Sequence, residues 1–379
     1  MISRDTIQRG FPIRPLGDVA EFLDSRRRPI TASERIPGPY PYYGANGQQD
    51  SVADYIFDEP LILLAEDGGL FDQPDRGIAY VIEGKTWVNN HAHVLRPRGH
   101  ARLRYLVRVL ENYDVTPWIT GSTRAKLTKA GASKIQIPLP PLAEQKRIAR
   151  ILDAADALRA KRREALAQLD TLLQSTFLDM FGDPVTNSNI PSAIMTALVT
   201  KFIDYRGKSP EKSKEGVPLI TAKIVKEKEV KEPNEFIPAN SYDAWMRRGI
   251  PNPGDVVITT EAPMGEVALV PDYKAAFAQR LLVLQPDETK VKSIYLMWAL
   301  TMPFVIRQLR QRSTGSTVTG IRSREFKKVT LPIPSLDLQR RFAAIVESVE
   351  QQKASQRAHL AELDTLFASL QSRAFRGDL

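Results

Sequence analysis

The sequence predicts an α+β protein: two globular α+β domains, each running into one long helix, with the two helices packed antiparallel as a coiled coil. Three observations carry this. Residues Lys134 to Phe181 laid on Lys328 to Phe375, a shift of 194, are identical at 18 of 48 positions with no gap, where chance would give roughly 3. Each matched segment is mostly a run free of Pro and Gly, and each is preceded by a half dense in Pro, Gly and short apolar runs. A chain built this way is one unit used twice.

In the first copy, residues 11 to 140 hold runs of strand length bounded by turn residues, Leu61-Ile62-Leu63-Leu64 and Ile78-Ala79-Tyr80-Val81-Ile82. Helical spacing appears at Leu103 to Leu110. After Pro141 the chain to about Met180 is rich in Ala, Leu, Arg, Lys, Glu and Gln, which favours one long helix. Gly182-Asp183-Pro184 ends it. The second copy repeats the order over residues 184 to 334. Its strand-like runs are Asp255-Val256-Val257-Ile258-Thr259 and Leu281-Leu282-Val283-Leu284, its helical spacing runs from Ile294 to Leu309, and Gly377 closes its tail helix. Upstream of the tails the agreement thins to pattern. Phe22-Leu23-Asp24 resembles Phe202-Ile203-Asp204, Pro41-Tyr42-Tyr43-Gly44 sits where Pro218-Leu219-Ile220-Thr221 does, and Val94-Leu95-Arg96-Pro97 answers Val283-Leu284-Gln285-Pro286. The boundaries so placed are 1–140 for the first domain, 141–182 for a central spacer helix, 183–334 for the second domain and 335–379 for a C-terminal spacer helix.

The tails set the pairing. Ile151, Ala155, Leu158, Arg162, Ala165, Leu169, Leu172 and Thr176 recur at alternating spacings of four and three, and Ile345, Val349, Gln352, Gln356, His359, Leu363, Leu366 and Leu370 answer them. Both seams are apolar at the ends and polar in the middle, so an antiparallel pair matches polar to polar. A seam this long needs a long partner.

Composition narrows the class. Lys+Arg 53 against Asp+Glu 44 gives a net charge of +9 over 379 residues, and the pI is about 9.5, which favours a polyanionic partner. Apolar residues at 42% exclude a wholly disordered chain. With no cysteine there are no disulfides, zinc-thiolate sites, iron–sulfur clusters or Cys nucleophile. The longest apolar stretch, Pro60 to Ala65, falls far short of a membrane span, and Met1 to Asp5 begin no apolar signal core. A cytoplasmic protein is expected.

Ile137-Pro138-Leu139-Pro140-Pro141-Leu142-Ala143-Glu144-Gln145 entering a long helix, echoed by Leu331-Pro332-Ile333-Pro334-Ser335-Leu336 through Gln339, resembles the specificity subunit (HsdS) of a type I DNA restriction–modification system. Gly121-Ser122-Thr123, Gly315-Ser316-Thr317 and Leu16-Gly17-Asp18-Val19 fit as well, and the likeness covers the whole chain. The second copy departs in having Asp337-Leu338 where the first has Ala143-Glu144. The resemblance implies two target-recognition domains in pseudo-twofold arrangement, separated by the antiparallel helices. Each domain would read one half of a split double-stranded DNA site. By the same resemblance two methyltransferase (HsdM) subunits would dock on the chain and two restriction (HsdR) subunits would join to complete the enzyme. The recognition subunit of a fused, non-type I enzyme is the nearest alternative.

Catalytic patterns are weak. No Gly-rich methyl-donor turn and no Asn/Asp-Pro-Pro-aromatic site is written, so no catalytic residue, cofactor or metal is expected in the chain. Gly207-Lys208-Ser209 lacks the earlier glycine of a phosphate loop, Phe202 standing in its place. Asp75, Glu83 and Lys85 have the spacing of a Mg²⁺-dependent nuclease, and also that of two surface turns around one strand. His91 and His93 could share a strand face as metal ligands but nominate no third. Polar and basic loops fit base edges and phosphates better. The DNA-binding candidates are Asn46, Gln48, Gln49, Asn89, Asn90, Ser122, Thr123 and Arg124 in the first domain. In the second they are Thr221, Lys223, Thr260, Gln279, Arg280, Ser316, Thr317 and Arg322. The Gly-Ser-Thr pair suits close approach to a phosphate; it equally suits a turn or helix start capped by Ser122 and Ser316.

Overall fold

The computed structural model describes residues 10–71, 77–121, 124–182, 190–205, 209–315 and 319–379. The chain forms two compact units. One is Met1–Glu164 with Arg357–Leu379, the other Ala165–Gln356. The division falls inside both long helices, so each unit holds the start of one and the end of the other.

In the first unit, strands Ala20–Phe22, Ala92–Pro97, Leu61–Ala65 and Ala79–Ile82 form an antiparallel sheet in that order. A second sheet has the order Gly47–Val52, Pro37–Gly44, Lys85–Val88, Phe57–Asp58, its middle pair parallel. The run Leu61–Ala65 is buried throughout because both of its faces are covered. Ile62 and Leu64 turn to a core shared with Tyr105, Leu106 and Val109 of helix Leu103–Leu110, while Leu61 and Leu63 turn to Phe57, Val88 and Val94. The period of two thus splits one apolar run between two clusters.

The second unit repeats the plan. Val199–Asp204, Leu281–Pro286, Val256–Thr259 and Val267–Leu269 form the antiparallel sheet. Phe236–Ile237, Val217–Ile220 and Ala276–Phe277 form the companion, with the last pair parallel. Register shows the duplication residue by residue. Tyr42 and Tyr43 lie beside Trp87 and Val88, as Leu219 and Ile220 lie beside Ala276 and Phe277. Ile62 faces Leu95 as Val256 faces Leu284.

Each unit grips its helices by the same device. Gln145, fully buried, accepts the Arg102 N–H at 2.8 Å and donates to the carbonyls of His100 and Pro140 at 3.0 and 2.9 Å. Gln339, also fully buried, accepts from Lys292 N–H at 2.8 Å and donates to Lys290 and Pro334 at 3.2 and 2.9 Å. Arg102 and Lys292 are the N-caps of the domain helices Leu103–Leu110 and Ser293–Thr301, and neither is capped by its own side chain. The glutamine supplies that missing cap from the long helix. Tyr105 and Tyr295 repeat the theme, their hydroxyls donating to Pro138 and Pro332 carbonyls at 2.7 and 2.6 Å.

The long helices run Leu142–Phe181 and Leu336–Arg376. Within the first unit, Ile148, Leu152 and Ala155 join Phe367, Ala374 and Phe375 in one core, and Arg159 meets Asp364 at 2.6 Å. Arg147 reaches the Leu379 carbonyl. Within the second, Phe177 and Phe181 pack on Phe342, and Lys353 meets Asp170 at 2.7 Å. Rising numbers on one helix meet falling numbers on the other, so both segments pair antiparallel. Of the expected seam Ala155 and Val349 are buried and Leu169 and Leu370 pack partly buried against the cores, while other positions give way to the neighbouring row. Leu158, Leu172, Leu366 and Ile345 face solvent, while Leu152, Leu173, Phe177 and Phe367 are buried. Among the described residues no helix is long and apolar enough to cross a membrane.

Candidate nucleic-acid interface

In the first unit the buried strand Leu61–Ala65 ends at Glu66 and Asp67, whose N–H groups both donate to the His91 carbonyl, at 2.9 and 3.3 Å. Leu127 N–H donates to Glu66 O at 2.7 Å and Lys126 bridges to Asp67. The hairpin Ile119–Thr120/Lys126–Leu127, whose tip joins these two strands, is therefore hooked onto the strand end. Gly121 opens that tip at φ +89°; a Cβ there would stand 2.4 Å from the Arg124 carbonyl, so only glycine fits.

Polar side chains converge at this point. Asp67 holds His91 Nδ1 and, at 3.1 Å, Arg124 Nη2. Asn46 Nδ2 donates to Gly68 O at 2.9 Å. Asn89 Nδ2 donates to Gln49 Oε1 at 3.1 Å, and its Oδ1 accepts the His91 N–H. Asn46, Gln49, Asn89 and Arg124 thus meet around one strand end, with exposed Asn90 next in chain. Gln48 turns instead to Asp50 O and Ser51 within its own hairpin. Asn89 is buried, which gives it a loop-shaping place rather than a surface one.

Beneath lies an ion-pair network. His93 is buried, its Nδ1 at 2.7 Å from Asp24 Oδ2 and its Nε2 donating to the Leu127 carbonyl at 2.8 Å. Arg27 and Lys126 reach Glu66 at 2.6 and 3.1 Å. Burial alone would raise the Asp24 carboxyl, but His93, the Val94 N–H and Arg27 outweigh it and hold it below the usual value. Glu66 is lowered likewise, against burial, by Arg27, His93 and Lys126. The ligand atoms of Asp24, Glu66 and His93 lie within 4.8 Å of one another. Two cations already neutralise the carboxylates and both His93 nitrogens are engaged, so the trio fits a structural network and not a metal site. His91 and His93 serve separate carboxylates and form no shared ligand pair.

The second unit builds the same junction. Thr260 N–H donates to Arg280 O at 2.8 Å, Ile321 N–H donates to Thr260 O at 2.9 Å, and Glu261 bridges to Gly320. Thr314 and Gly320 close the matching tip through two bonds of 2.9 and 3.0 Å, with Gly315 at φ +112°. These bonds equate Glu66 with Thr260, Asp67 with Glu261 and His91 with Arg280. Glu261 Oε1 takes Arg280 Nε at 2.8 Å. Gln279 donates to Ser209 Oγ at 3.0 Å, and Ala278 N–H to Ile220 O brings Thr221 alongside. Lys223 and Arg322 are exposed, Arg322 preceding the short helix Ser323–Phe326. Thr260 is buried and, like Asn89, shapes the loop.

Ser122, Thr123, Ser316, Thr317 and Asp75 lie outside the described residues. Glu83 is paired with Arg104 at 3.0 Å, and Lys85 lies over the Tyr55 ring at 4.7 Å. The two nuclease candidates that are described are thus turned to different neighbours. Asp67, Glu261 and the His91–Asp67 pairing were not anticipated. The available signal was an acid two residues past the buried strand in both copies, Asp67 after Ala65 and Glu261 after Thr259. The junction offers donors and acceptors in exposed loops on a rigid frame, the equipment for reading base edges.

The profile of the type I restriction modification DNA specificity domain matches twice, over residues 9–168 and 205–365. A Haemophilus influenzae protein assigned as a type I restriction enzyme specificity subunit is 27% identical over 363 residues, covering 89% of this chain and 87% of its own. The Methanocaldococcus jannaschii type I restriction enzyme MjaVIII specificity subunit is 21% identical over 369 residues, covering 88% and 85%. The fold is similar to the crystal structure of the S subunit of a type I system from M. genitalium, with TM-score 0.57 and 14% identity over 97% of this chain and 96% of that one. A chain solved in work on complex assembly and conformational transition of the type I R-M system aligns with TM-score 0.54 and 18% identity, covering 98% of each. With the family profile repeated over both halves, the chain belongs to the specificity subunits of type I restriction–modification systems.

Proposed function

We propose that this chain reads a bipartite double-stranded DNA target, one half per unit, and serves as the scaffold on which two methyltransferase subunits dock, with two restriction subunits joining through them. It contributes no catalysis and takes no cofactor, and it works in the cytoplasm, where the DNA is. The observation that carries this reading is the junction at the end of the buried strand, built twice from the same backbone bonds but finished with different side chains. A constant frame with different polar tips is what two readers of different half-sites need.

On this reading Asn46, Gln49, Asn90, Arg124, Thr221, Gln279 and Arg280 face the bases, Lys223 and Arg322 meet phosphates, and Asn89 and Thr260 stand behind them as supports. Docking has its own support. In the first unit Leu158, Leu363 and Leu366 line an apolar groove beside Lys161 and Arg162, and Leu158 and Leu366 are each about half exposed. Apolar side chains rimmed by charge on a helix pair suit a protein partner. The test is co-expression with the cognate methyltransferase followed by sequencing of methylated adenines. A two-part motif and a complex holding two methyltransferases are expected. Plasmid cutting by the purified chain in Mg²⁺ that disappears in Asp75→Ala would overturn the non-catalytic reading.

A further inference from the structure

At the strand end of the second unit a carboxylate aims a guanidinium. We propose that Arg280, held by Glu261, reads a guanine in the major groove and determines specificity at one position of the second unit's half-site. This deepens the DNA-recognition reading above and rests on it.

The geometry of the pair is that of a positioned fork. Glu261 takes the Nε of Arg280 at 2.8 Å. Among the described residues the two Nη groups have no partner, and the side chain is 47% exposed. An arginine fixed through Nε presents its two Nη groups side by side, the spacing that matches O6 and N7 of guanine. Glu261 is itself seated by its surroundings. It bridges to Gly320, where an added Cβ would stand 3.0 Å from Glu261 Cβ and 3.3 Å from Oε2. The absent side chain at Gly320 is the room that the carboxylate occupies.

The backbone adds a second observation. Arg280 sits at φ +74°, in the left-handed region that favours glycine or asparagine. Non-glycine residues in such strained conformations cluster at binding and catalytic sites. The first unit supports the position independently. There the same backbone bonds place His91 on Asp67, with Arg124 on the same carboxylate. Both units therefore set a nitrogen donor group on an acid at one point of the fold, and the difference between histidine and arginine lets the two half-sites differ there.

The test uses cells co-expressing the full chain with its methyltransferase, the target being read from methylated adenines. The wild-type motif should contain a G·C pair at one position of one half. In Arg280→Gln the preference for guanine there should fall roughly 10- to 100-fold, with all other positions unchanged. Glu261→Gln should loosen the same position to a smaller extent. Arg280→Asn suits the left-handed backbone and so keeps the fold while losing the same discrimination. Where methylation falls below detection, competition binding of the purified complex against duplexes altered one base pair at a time gives the same readout. Guanine retained at every position in both Arg280 variants would overturn the proposal. So would uniform weakening across the motif, the mark of a phosphate contact. A wild-type complex that methylates without any motif would instead strike the recognition reading itself.

Discussion

Gln145 and Gln339 show how much a single side chain can fix. Each fills three hydrogen bonds in a fully buried place and caps a helix of its own domain from the long helix. Alanine at either position would strand a part-buried N–H and two carbonyls, one of them buried, at a loss of about 3 kcal/mol. Denaturant titration checks the size, and hydrogen exchange should place the loss in the unit that carries the substitution. A loss under about 1 kcal/mol would mean that water replaces the clasp. The Asp24–Glu66 network adds a pH dependence with a definite sign. Both carboxyls are held below their ordinary values of 3.8 and 4.5 in the folded chain. The unfolded chain therefore takes up protons first as pH falls. The stabilisation is fully present above about pH 5 and is lost as pH drops through the folded values. Thermal melts between about pH 6 and pH 3 should show this slope in the first unit, and Asp24→Asn should flatten it. An unchanged slope in that variant would remove the network from the explanation.

Among the elements, the two long helices carry a duplicated ion pair. Arg159 meets Asp364 in the first unit, and Lys353 meets Asp170 in the second; under the repeat Arg159 answers Lys353 and Asp170 answers Asp364. Arg159 also lies over the Phe367 ring at 4.4 Å. Arg159→Glu should destabilise the first unit by roughly 1 to 2 kcal/mol, and Asp364→Arg added to it should restore part of that. No recovery in the double variant would show that the ring, and not the carboxylate, holds Arg159. This pair also explains why the helices were legible in the sequence while their contact stripe was only partly so. Length and the missing Pro and Gly mark the helices at once. The stripe, however, passes through Arg159 and Lys353, which lay their methylene stems inward, while Leu158 and Leu172 stand exposed one position away. An apolar pattern therefore finds Ala155 and Val349 but takes Leu158 and Leu172 from the neighbouring row. The junction at the strand end was only partly legible for a related reason. Asn46, Gln49, Arg124 and Arg280 stand out as polar loop residues, but Asp67 and Glu261 gain their meaning from residues that only strand register brings to them.

For the molecule as a whole, the central claim is that duplication gave one frame two independent reading surfaces. Each unit has its own sheets, its own cores and its own junction of strand, hairpin tip and acid–cation pair. The strand ends differ in the side chains they present while the backbone bonds beneath them agree. Independence follows if the contacts that shape each junction stay within its unit, as every hydrogen bond named above does. The most direct measurement is an exchange. Residues 11 to 140 are replaced by the matching segment of a relative with a different target, and methylated adenines are sequenced in cells that carry the exchanged chain and its methyltransferase. The account predicts that one half of the motif changes to the donor's and the other half stands. A motif altered in both halves, or in neither, would contradict it.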